Sequence, residues 1–421
     1  MSLATSAERW PELASLPAGP VRGAIARAVV ASLLRTMPLR IRVPGPGENA
    51  AARSAMEADG GPPVLVINRP GPFYRRIAGA GLVGLGEAYM AGDWDTAELA
   101  AVLTVLARGL SRLIPAPLLR LGPPGASGRP ESDAQDIAGS ARNNRLHYDL
   151  GNDMFAVFLD ETLSYSCPLF LARPDGLPAA SAEVLAGAQR RKIDALLDLA
   201  AVREGTRLLE IGAGWGELAI RAGLRGAQVV SITNSAEQHK LALQRVAAAG
   251  LAGRVGIRLC DYREVAGQYD AVVSVEMIEA VGANYWPAYF TAIDRALAPG
   301  GRVGLQAITM PHPLMLATSR RHTWIDRYVF PGCLIPSMRA IEETLAGHTS
   351  LRVASARWMG PHYAQTLRIW GERFDAAADR LGALGFDPVF QRTWRFYLAY
   401  CEAGFRSRRL DVGQFLLVRS D

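Results

Sequence analysis

The most constraining feature of this sequence is the segment RLLEIGAGWGELAIRAGL at residues 207–224. It opens as a short apolar run typical of a buried strand, passes through Gly212, Gly214 and Gly216, and continues directly into a helical pattern. Glycines at such a turn permit positive φ and let backbone N–H groups approach a ligand closely. The segment therefore predicts a strand–turn–helix unit with a ligand at the turn.

Further short apolar runs, bounded by turn residues and separated by helical patterns, accompany this unit. Together with RLLEIG at 207–212, they are AQVVSIT (227–233), RVGIRL (254–259), DAVVSVE (270–276) and GRVGLQAI (301–308). This alternation is typical of βαβ units that build a parallel sheet. We therefore predict an α/β, Rossmann-like domain.

The spacing of the glycines bears on which ligand the turn holds. A nicotinamide-binding fold has the pattern G-x-G-x-x-G and an acidic residue about 20 residues further on. Here the spacing is G-x-G-x-G, Glu210 precedes it, and the second strand ends in Thr233-Asn234-Ser235 with no carboxylate before Glu237. The pattern favours S-adenosylmethionine (SAM) over a nicotinamide, and a purely structural turn is the alternative.

Residue composition and periodicity change along the 421-residue chain and divide it into three parts. Residues 1–115 carry Arg-rich helical stretches and one short apolar run, which fits a small α+β domain. Residues 116–138 are rich in Pro, Gly and Ser without sustained periodicity, which predicts a linker. Residues 139–421 hold the α/β pattern and form the second, larger domain.

Composition excludes several classes of protein. Apolar residues make up 49% and charged residues 20%, which indicates a globular chain and not a disordered one. The four cysteines form no C-x-x-C pair, which excludes a zinc ribbon or a disulfide framework, and the six histidines lack metal-ligand spacing, so we predict no metal site. Neither a signal peptide nor a spanning segment is visible, which predicts a cytoplasmic protein.

The positive charge of the chain comes almost entirely from arginine. The net charge is +6, and among 46 basic residues only Lys192 and Lys240 are lysines. Arginine binds phosphate groups bidentately, so this balance suits a polyanion or an anionic membrane surface. A genome bias toward arginine codons is the alternative.

Five segments occur in an order found in one known family. They are HYDLGNDMFAVFLDETLSYSCPLF (147–170), VVSVEMIEAVG (272–282), WIDRYVFPGCLIPS (324–337), PHYAQTLRIWGERF (361–374) and FYLAYCEAGFRSRRLDV (396–412). Through them, residues 140–421 resemble the cyclopropane-fatty-acyl-phospholipid synthase family, which includes the mycolic acid methyltransferases. Gly84–Leu99 also looks like the N-terminal domain of the members that act on phospholipids.

Two shorter segments narrow the resemblance within the family. MIEAVG at 277–282 and LQAITMPH at 305–312 are similar to the actinobacterial methyltransferases that make 10-methylene-stearoyl chains, precursors of tuberculostearic acid. Ala280 and Gln306 stand where cyclopropane synthases carry histidines. The resemblance implies a class I SAM-dependent methyltransferase fold, with a seven-stranded, mostly parallel sheet, in the domain from residue 139 onward.

The resemblance also implies the reaction. The methyl group of SAM is transferred to the cis double bond of an oleoyl-type acyl chain of a phospholipid. The product of this step is a carbocation. A hydride shift followed by loss of a methyl proton gives a 10-methylene chain, whereas immediate loss of that proton closes a cyclopropane ring. The first outcome is the expectation and the second is the alternative.

Either outcome needs a base beside the carbocation. By resemblance, cyclopropane synthases hold a bicarbonate ion there, and its ligands map onto the backbone at Cys167 and onto Glu279, Gln306, Ile308 and Tyr363. Gln306 can still donate an N–H to an anion. The alternative is that Glu279 itself takes the proton, with a pKa raised by burial.

The family pattern for SAM carries over to positions in the segment before the sheet, in the glycine turn and after the second and third strands. They are Tyr165, Ser166, Gly212, Gly214, Gly216, Thr233, Asn234, Gln238, Tyr262 and Arg263. Asn234 stands where leucine is common, and Tyr262 where a mycolic acid enzyme has tryptophan. Both side chains can still flank an adenine.

The implied substrate is an unsaturated phospholipid that must at least partly leave a bilayer. We expect residues 1–115 to bind lipid and to dock peripherally on the inner face of the cytoplasmic membrane, with an ordinary solvated helix face as the alternative. The arginines expected to do so are Arg22, Arg27, Arg35, Arg40, Arg42, Arg75 and Arg76.

Conversion of a methylene group to a methyl branch would need a separate reductase. We expect no nucleic-acid partner, because no N-P-P-Y-like segment is present to hold a flipped base. The sequence leaves open whether the protein forms a homo-oligomer.

Overall fold

The computed structural model describes residues 10–45, 61–113 and 150–420. The predicted linker, residues 116–138, lies outside these ranges. The helices are α1 (Pro11–Ala14), α2 (Pro20–Arg35), α3 (Pro70–Met90), α4 (Leu99–Leu113), α5 (Asn152–Phe158), α6 (Leu185–Leu199), α7 (Glu217–Leu224), α8 (Ala236–Ala248), α9 (Ile278–Val281), α10 (Trp286–Ala296), α11 (His312–Thr318), α12 (Trp324–Tyr328), α13 (Met338–His348), α14 (Gly360–Ala376), α15 (Ala378–Ala383) and α16 (Pro388–Arg406). The strands are β1 (Arg40–Arg42), β2 (Val64–Ile67), β3 (Trp94–Asp95), β4 (Arg207–Ile211), β5 (Gln228–Thr233), β6 (Val255–Leu259), β7 (Tyr269–Val275), β8 (Leu297–Thr309), β9 (Leu351–Trp358) and β10 (Asp411–Arg419).

The larger of two compact units contains a seven-stranded sheet in the order β6-β5-β4-β7-β8-β10-β9. The pairs among β4 to β8 are parallel, and β10 runs antiparallel to both β8 and β9. Because β4 lies between β5 and β7, the strand order reverses beside it. Open α/β sheets bind their ligands at the carboxyl ends of the strands at such a point.

Helices cover both faces of this sheet because successive strand residues point to opposite sides. Leu208 of β4 packs with Leu196 of α6 and with residues of α7 and α8. Leu209, the next residue, packs on the other side with Phe290 of α10 and Ile341 of α13. Strands buried on both faces explain the nearly continuous apolar runs in the sequence.

The smaller unit is assembled from three stretches of the chain, residues 1–128, 321–329 and 374–407. In its described part β1, β2 and β3 form a three-stranded sheet, and α16 packs on α3 and α4. The indole Nε1 of Trp324, on α12, lies 3.4 Å from Sδ of Met90, and the Trp324 ring lies edge-on to Phe396 of α16 with centroids 4.6 Å apart.

This grouping differs from the sequence-based boundaries, which assigned every residue after 139 to one domain. The reason is that α12 and α16 bury their aromatic residues against the N-terminal helices. Arg392 of α16 reinforces the packing, since it donates to the carbonyl of Tyr89 (2.7 Å) and to Asp95 (3.0 Å).

Two kinds of feature are absent from the described part of the chain. No helix there is both long enough and apolar enough to cross a bilayer. No group of three or more His, Cys, Asp or Glu side chains in those residues is placed to hold a metal ion. The cysteines at 167, 260, 333 and 401 are all free thiols.

Candidate active site

The glycine turn after β4 closes against the end of β5. The N–H of Gly212 donates to the carbonyl of Ile232 (3.0 Å), and Gly212, Gly214 and Gly216 have φ values of 95°, 51° and 89°. Gly212 and Gly214 line a cavity, whereas a Cβ on Gly216 would lie 3.2 Å from Cβ of Ala242 in α8. The first two glycines therefore face ligand space, and the third lets α7 pack closely against α8.

The cavity lies at the carboxyl ends of β4, β5 and β7. Most residues expected at SAM line it, namely Tyr165, Ser166, Gly212, Gly214, Thr233, Asn234, Gln238 and Tyr262. Gly216 and Arg263, also expected there, are not in its wall. Arg263 instead donates to both carboxylate oxygens of Asp261 (2.7 and 2.8 Å), and Asp261 is a wall residue. Arg263 therefore acts by holding Asp261 in place.

The ionisable side chains in the cavity wall are mostly acidic. Its carboxyl groups belong to Glu210, Glu217, Asp261 and Glu276, and among the described wall residues Lys192 is the one basic side chain. Burial raises the pKa of Glu210 to about 8, and a cation bound beside it would favour its ionised form. Such a wall suits a positively charged ligand, as a sulfonium compound is.

Lys192 is a wall residue that the sequence analysis did not single out for the site. Its side chain is buried, its Nζ donates to Oγ of Ser166 (2.6 Å), and burial lowers its pKa. Gln189, one turn earlier on α6, donates to the carbonyl of Ser166 (2.9 Å). These two contacts fix Ser166 at the cavity, and the scarcity of lysine in the chain was the only sequence signal for them.

Glu276 is a second residue that the sequence analysis missed. It directly follows β7, and its Oε1 accepts hydrogen bonds from the N–H of Cys167 (2.8 Å) and from Nε2 of Gln306 (2.8 Å). Its Oε2 accepts from the hydroxyl of Tyr363 (2.7 Å). Three groups expected to meet on a bound anion therefore meet on a carboxylate of this chain. A signal was available, because Glu276 ends the fourth apolar run, at the sheet edge where ligands bind.

A further layer of hydrogen bonds orients these donors. Gln414 on β10 pairs with Gln306 on β8 and donates to its Oε1 (3.1 Å). The amide of Gln306 therefore turns Nε2 toward Glu276 and toward the carbonyl of Cys167 (3.0 Å). Burial raises the pKa of the Cys167 thiol well above its usual value, so Cys167 contributes its backbone groups and not a thiolate.

Glu279, on α9, has a different set of contacts. Its Oε1 accepts from the N–H of Ile308 (2.5 Å), and its buried Oε2 has no hydrogen-bond partner among the described residues. Burial, together with the negative charge of Glu276, raises the pKa of Glu279 to about 8, so its carboxyl group is mostly protonated at neutral pH. Of the groups expected to bind one anion, those of Cys167, Gln306 and Tyr363 donate to Glu276. The N–H of Ile308 donates to Glu279 instead.

A bicarbonate ion does not fit this arrangement. The N–H of Cys167, the amide of Gln306 and the hydroxyl of Tyr363 all donate to Glu276. A free anion would have to displace that carboxylate and then lie close to it in a buried site, which like-charge repulsion and burial both disfavour. In this structure the Glu276 side chain accepts the hydrogen bonds that were expected to hold a bicarbonate ion.

Sequence comparison identifies the family. A family model described as mycolic acid cyclopropane synthetase matches residues 135–415. This chain belongs to that family. It is 52% identical over 424 residues, 99% of this chain and 97% of the relative, to tuberculostearic acid methyltransferase UfaA1 of Mycobacterium tuberculosis. It is 32% identical over 383 residues, 87% of this chain and 91% of the relative, to cyclopropane-fatty-acyl-phospholipid synthase of Escherichia coli.

Solved structures of the same family share the fold. Mycolic acid cyclopropane synthase CmaA1, complexed with SAH and CTAB, aligns with a TM-score of 0.59 at 29% identity over 69% of this chain and 98% of its own. The cyclopropane synthase MmaA2 from M. tuberculosis aligns with a TM-score of 0.59 at 28% identity over 66% of this chain and 97% of its own. The predicted family and the class I methyltransferase fold are confirmed.

Proposed function

We propose that this chain transfers the methyl group of SAM to the cis double bond of an oleoyl-type acyl chain in a phospholipid and so produces a 10-methylene chain. The 52% identity to a tuberculostearic acid methyltransferase over nearly the whole chain carries the proposal. Ala280 in the cavity wall and the buried Gln306 support the methylene product, because both replace histidines that cyclopropane synthases typically carry.

The residues of the cavity suit SAM, which when bound supplies an electrophilic methyl group. Gly212 and Gly214 let the backbone approach the ligand, and Asp261 offers a negative charge to it. The hydroxyl of Thr233 donates to Oε1 of Gln238 (3.0 Å). This contact orients the amide of Gln238, so that its NH₂ group is left to face other acceptors.

A cluster of aromatic rings beside the carboxyl groups suits a carbocation. The Tyr165 ring lies 5.3 Å from Phe155 and 5.5 Å from Trp370, and the Tyr363 ring lies 6.1 Å from Trp370, between centroids. Aromatic faces attract cations and exclude water. The chain's contribution is therefore to hold a weak nucleophile in line with the methyl donor in dry surroundings.

We propose further that α2 docks the N-terminal unit on the anionic inner face of the cytoplasmic membrane. Val21, Ile25 and Val29 recur every four residues on one helix face and are 75%, 61% and 54% exposed. Three arginines of the same helix are also exposed, Arg22, Arg27 and Arg35. Exposed apolar side chains together with basic ones are what an anionic lipid surface binds.

Other arginines expected at the membrane have contacts within the unit. Arg76 is buried and donates to Asp93 (3.0 Å), and Nε of Arg75 donates to a backbone carbonyl just before α2 (2.6 Å). Arg40 and Arg42 are half-buried on β1. The expected docking surface is therefore corrected to the exposed face of α2.

Reduction of the methylene product to a methyl branch requires a hydride donor. The glycine turn of this chain departs from the nicotinamide pattern, and its cavity carries an acidic wall that suits a cation. We therefore assign the reduction to a separate reductase.

The test of the reaction is product analysis with the full chain, SAM and oleoyl phospholipid vesicles. A methylene and a cyclopropane product have the same mass, so the fatty acid methyl esters are separated by retention time and examined for vinylic protons by NMR. We expect a vinylic signal. A cyclopropane product would replace the methylene assignment, and the absence of any product would refute the function.

A further inference from the structure

The hydrogen bonds of Glu276 are those of an ionised carboxylate. All three partners, the N–H of Cys167, the amide NH₂ of Gln306 and the hydroxyl of Tyr363, are donors, and a carboxylate accepts while a protonated acid must also donate. Burial raises the pKa of Glu276, whereas these donors and the charge of Lys192 lower it. The three donors favour the ionised form, and burial makes Glu276 more readily protonated than an exposed glutamate.

The backbone at Glu276 is held in an unfavourable conformation. Its φ is 50°, in the left-handed region that favours glycine. Residues other than glycine persist in such conformations where the surrounding structure over-determines them, commonly at functional sites. This conformation lets a side chain leave the end of β7 toward Cys167, Gln306 and Tyr363.

The position of Glu276 also separates it from Glu279. Glu276 lines the cofactor cavity, and so do Met277 and Ala280, whereas Glu279 is absent from the cavity wall and its Oε1 is taken by the N–H of Ile308. Of the two carboxyl groups, the one with three hydrogen-bond donors is therefore also the one that lines the cavity.

We propose that Glu276 is the general base of this enzyme, a carboxylate of the chain itself that does the work of a bound bicarbonate. The inference rests on the proposed function. As the S–CH₃ bond breaks, the alkene π electrons form the new C–C bond, leaving a thioether and a cation on the neighbouring carbon. A hydride then shifts to that carbon from the methylated carbon, which becomes the cation, and a proton of the new methyl group passes to Oε of Glu276. The electrons of that C–H bond form the exocyclic double bond.

In this assignment Tyr363 and Gln306 are positioning residues, which act through Glu276. The proton on Glu276 returns to solvent through the cavity after the products leave. The enzyme therefore has no requirement for bicarbonate.

The experiment compares turnover in carbon-dioxide-free buffer with and without added bicarbonate, for the full-length wild type and two variants. We expect equal wild-type rates in both buffers. Glu276→Gln keeps the size of the side chain but not its basicity, and we expect at least about a 100-fold loss of turnover with SAM binding retained, as is typical for loss of a general base. Glu276→Gly removes the strain of the positive φ and leaves the three donors free to bind a small anion. We expect this variant to be inactive alone and its turnover to be restored by bicarbonate or formate.

Glu343→Gln, an exposed glutamate on α13 paired with Arg339, is the matched control and should retain wild-type turnover. A wild type that depends on bicarbonate would overturn the inference, and so would Glu276→Gln retaining more than about a tenth of the activity. A Glu276→Gly variant that binds SAM but responds to neither anion would also overturn it, by assigning the residue a structural role. Absence of product from the wild type in both buffers would instead refute the proposed function, and this inference with it.

Discussion

Two glutamates three positions apart have different chemical states because their partners differ. Glu276 has donors on both oxygens, while Glu279 has one donor and one buried oxygen without a hydrogen-bond partner in the described residues. Burial and the negative charge of Glu276 both raise the pKa of Glu279. A proton on Glu279 therefore relieves repulsion, and it leaves the negative charge on Glu276.

This difference predicts how stability depends on pH. The pKa of Glu279 is about 8 in the folded protein and 4.5 as the ordinary value, so between these pH values the unfolded chain has lost a proton that the folded chain keeps. Stability from this group is complete below about 4.5 and is lost as pH rises toward about 8. We expect the melting temperature of Glu279→Gln, minus that of wild type, to increase over this range and to level off above it. A difference that stays constant with pH in calorimetry would contradict the assigned protonation.

At the scale of elements, α2 exposes three apolar side chains at regular spacing. Leu34 and Gly23 of this helix are buried, yet Val21, Ile25 and Val29 face outward. Apolar side chains at this spacing form a continuous stripe, and such stripes bordered by charge indicate a lipid or protein surface. The interfacial role proposed for α2 depends on this stripe.

The corresponding prediction concerns vesicle binding. Replacing Val21, Ile25 and Val29 by serine should weaken co-sedimentation with anionic vesicles at least about tenfold, equivalent to about 1.4 kcal/mol, and wild-type binding should weaken as salt is added. Leu224→Ser, which removes a leucine that is also exposed but lies on α7, is the control and should bind as wild type does. Wild-type binding that ignores both salt and anionic lipid content would refute the docking surface.

At the scale of the whole molecule, the N-terminal unit is completed by stretches that are distant in sequence. Its packing is close where Trp324 meets α3: a Cβ placed on Gly86 would lie 2.4 Å from the Trp324 ring. Gly86 is thus needed because the indole approaches the helix backbone, and not for its conformational freedom. The two returning stretches make the stability of the unit depend on the C-terminal part of the chain.

Gly86→Ala should therefore destabilise the protein by about 1–3 kcal/mol, the range for overpacking a core. Gly371→Ala, in α14, is the matched control, because its Cβ would meet nothing within 4 Å and alanine favours helix, so its stability should be equal or slightly higher. Urea unfolding measures both. Equal midpoints for the two variants would show that residues 321–329 do not pack on α3 as described.

Local pattern was sufficient to predict the family, the α/β fold and most of the cofactor cavity. The glycine turn and the strands around it are contiguous stretches, and the carboxyl ends of parallel strands must meet at one edge of the sheet. The family resemblance assigned Gly212, Thr233 and Tyr262 to the SAM site, and the structure places all three in the wall of one cavity. The side-chain roles proposed for them stay predictions.

The sequence by itself determined the five parallel strands of the sheet and the edge at which a ligand is expected. Only the tertiary structure decided which carboxyl group meets which donor. Glu276 lies 109 residues from Cys167, 87 from Tyr363 and 30 from Gln306, and its direction depends on a positive φ at the end of β7. Hydrogen bonds between groups so far apart depend on distances of a few tenths of an ångström, which packing sets and residue spacing does not encode.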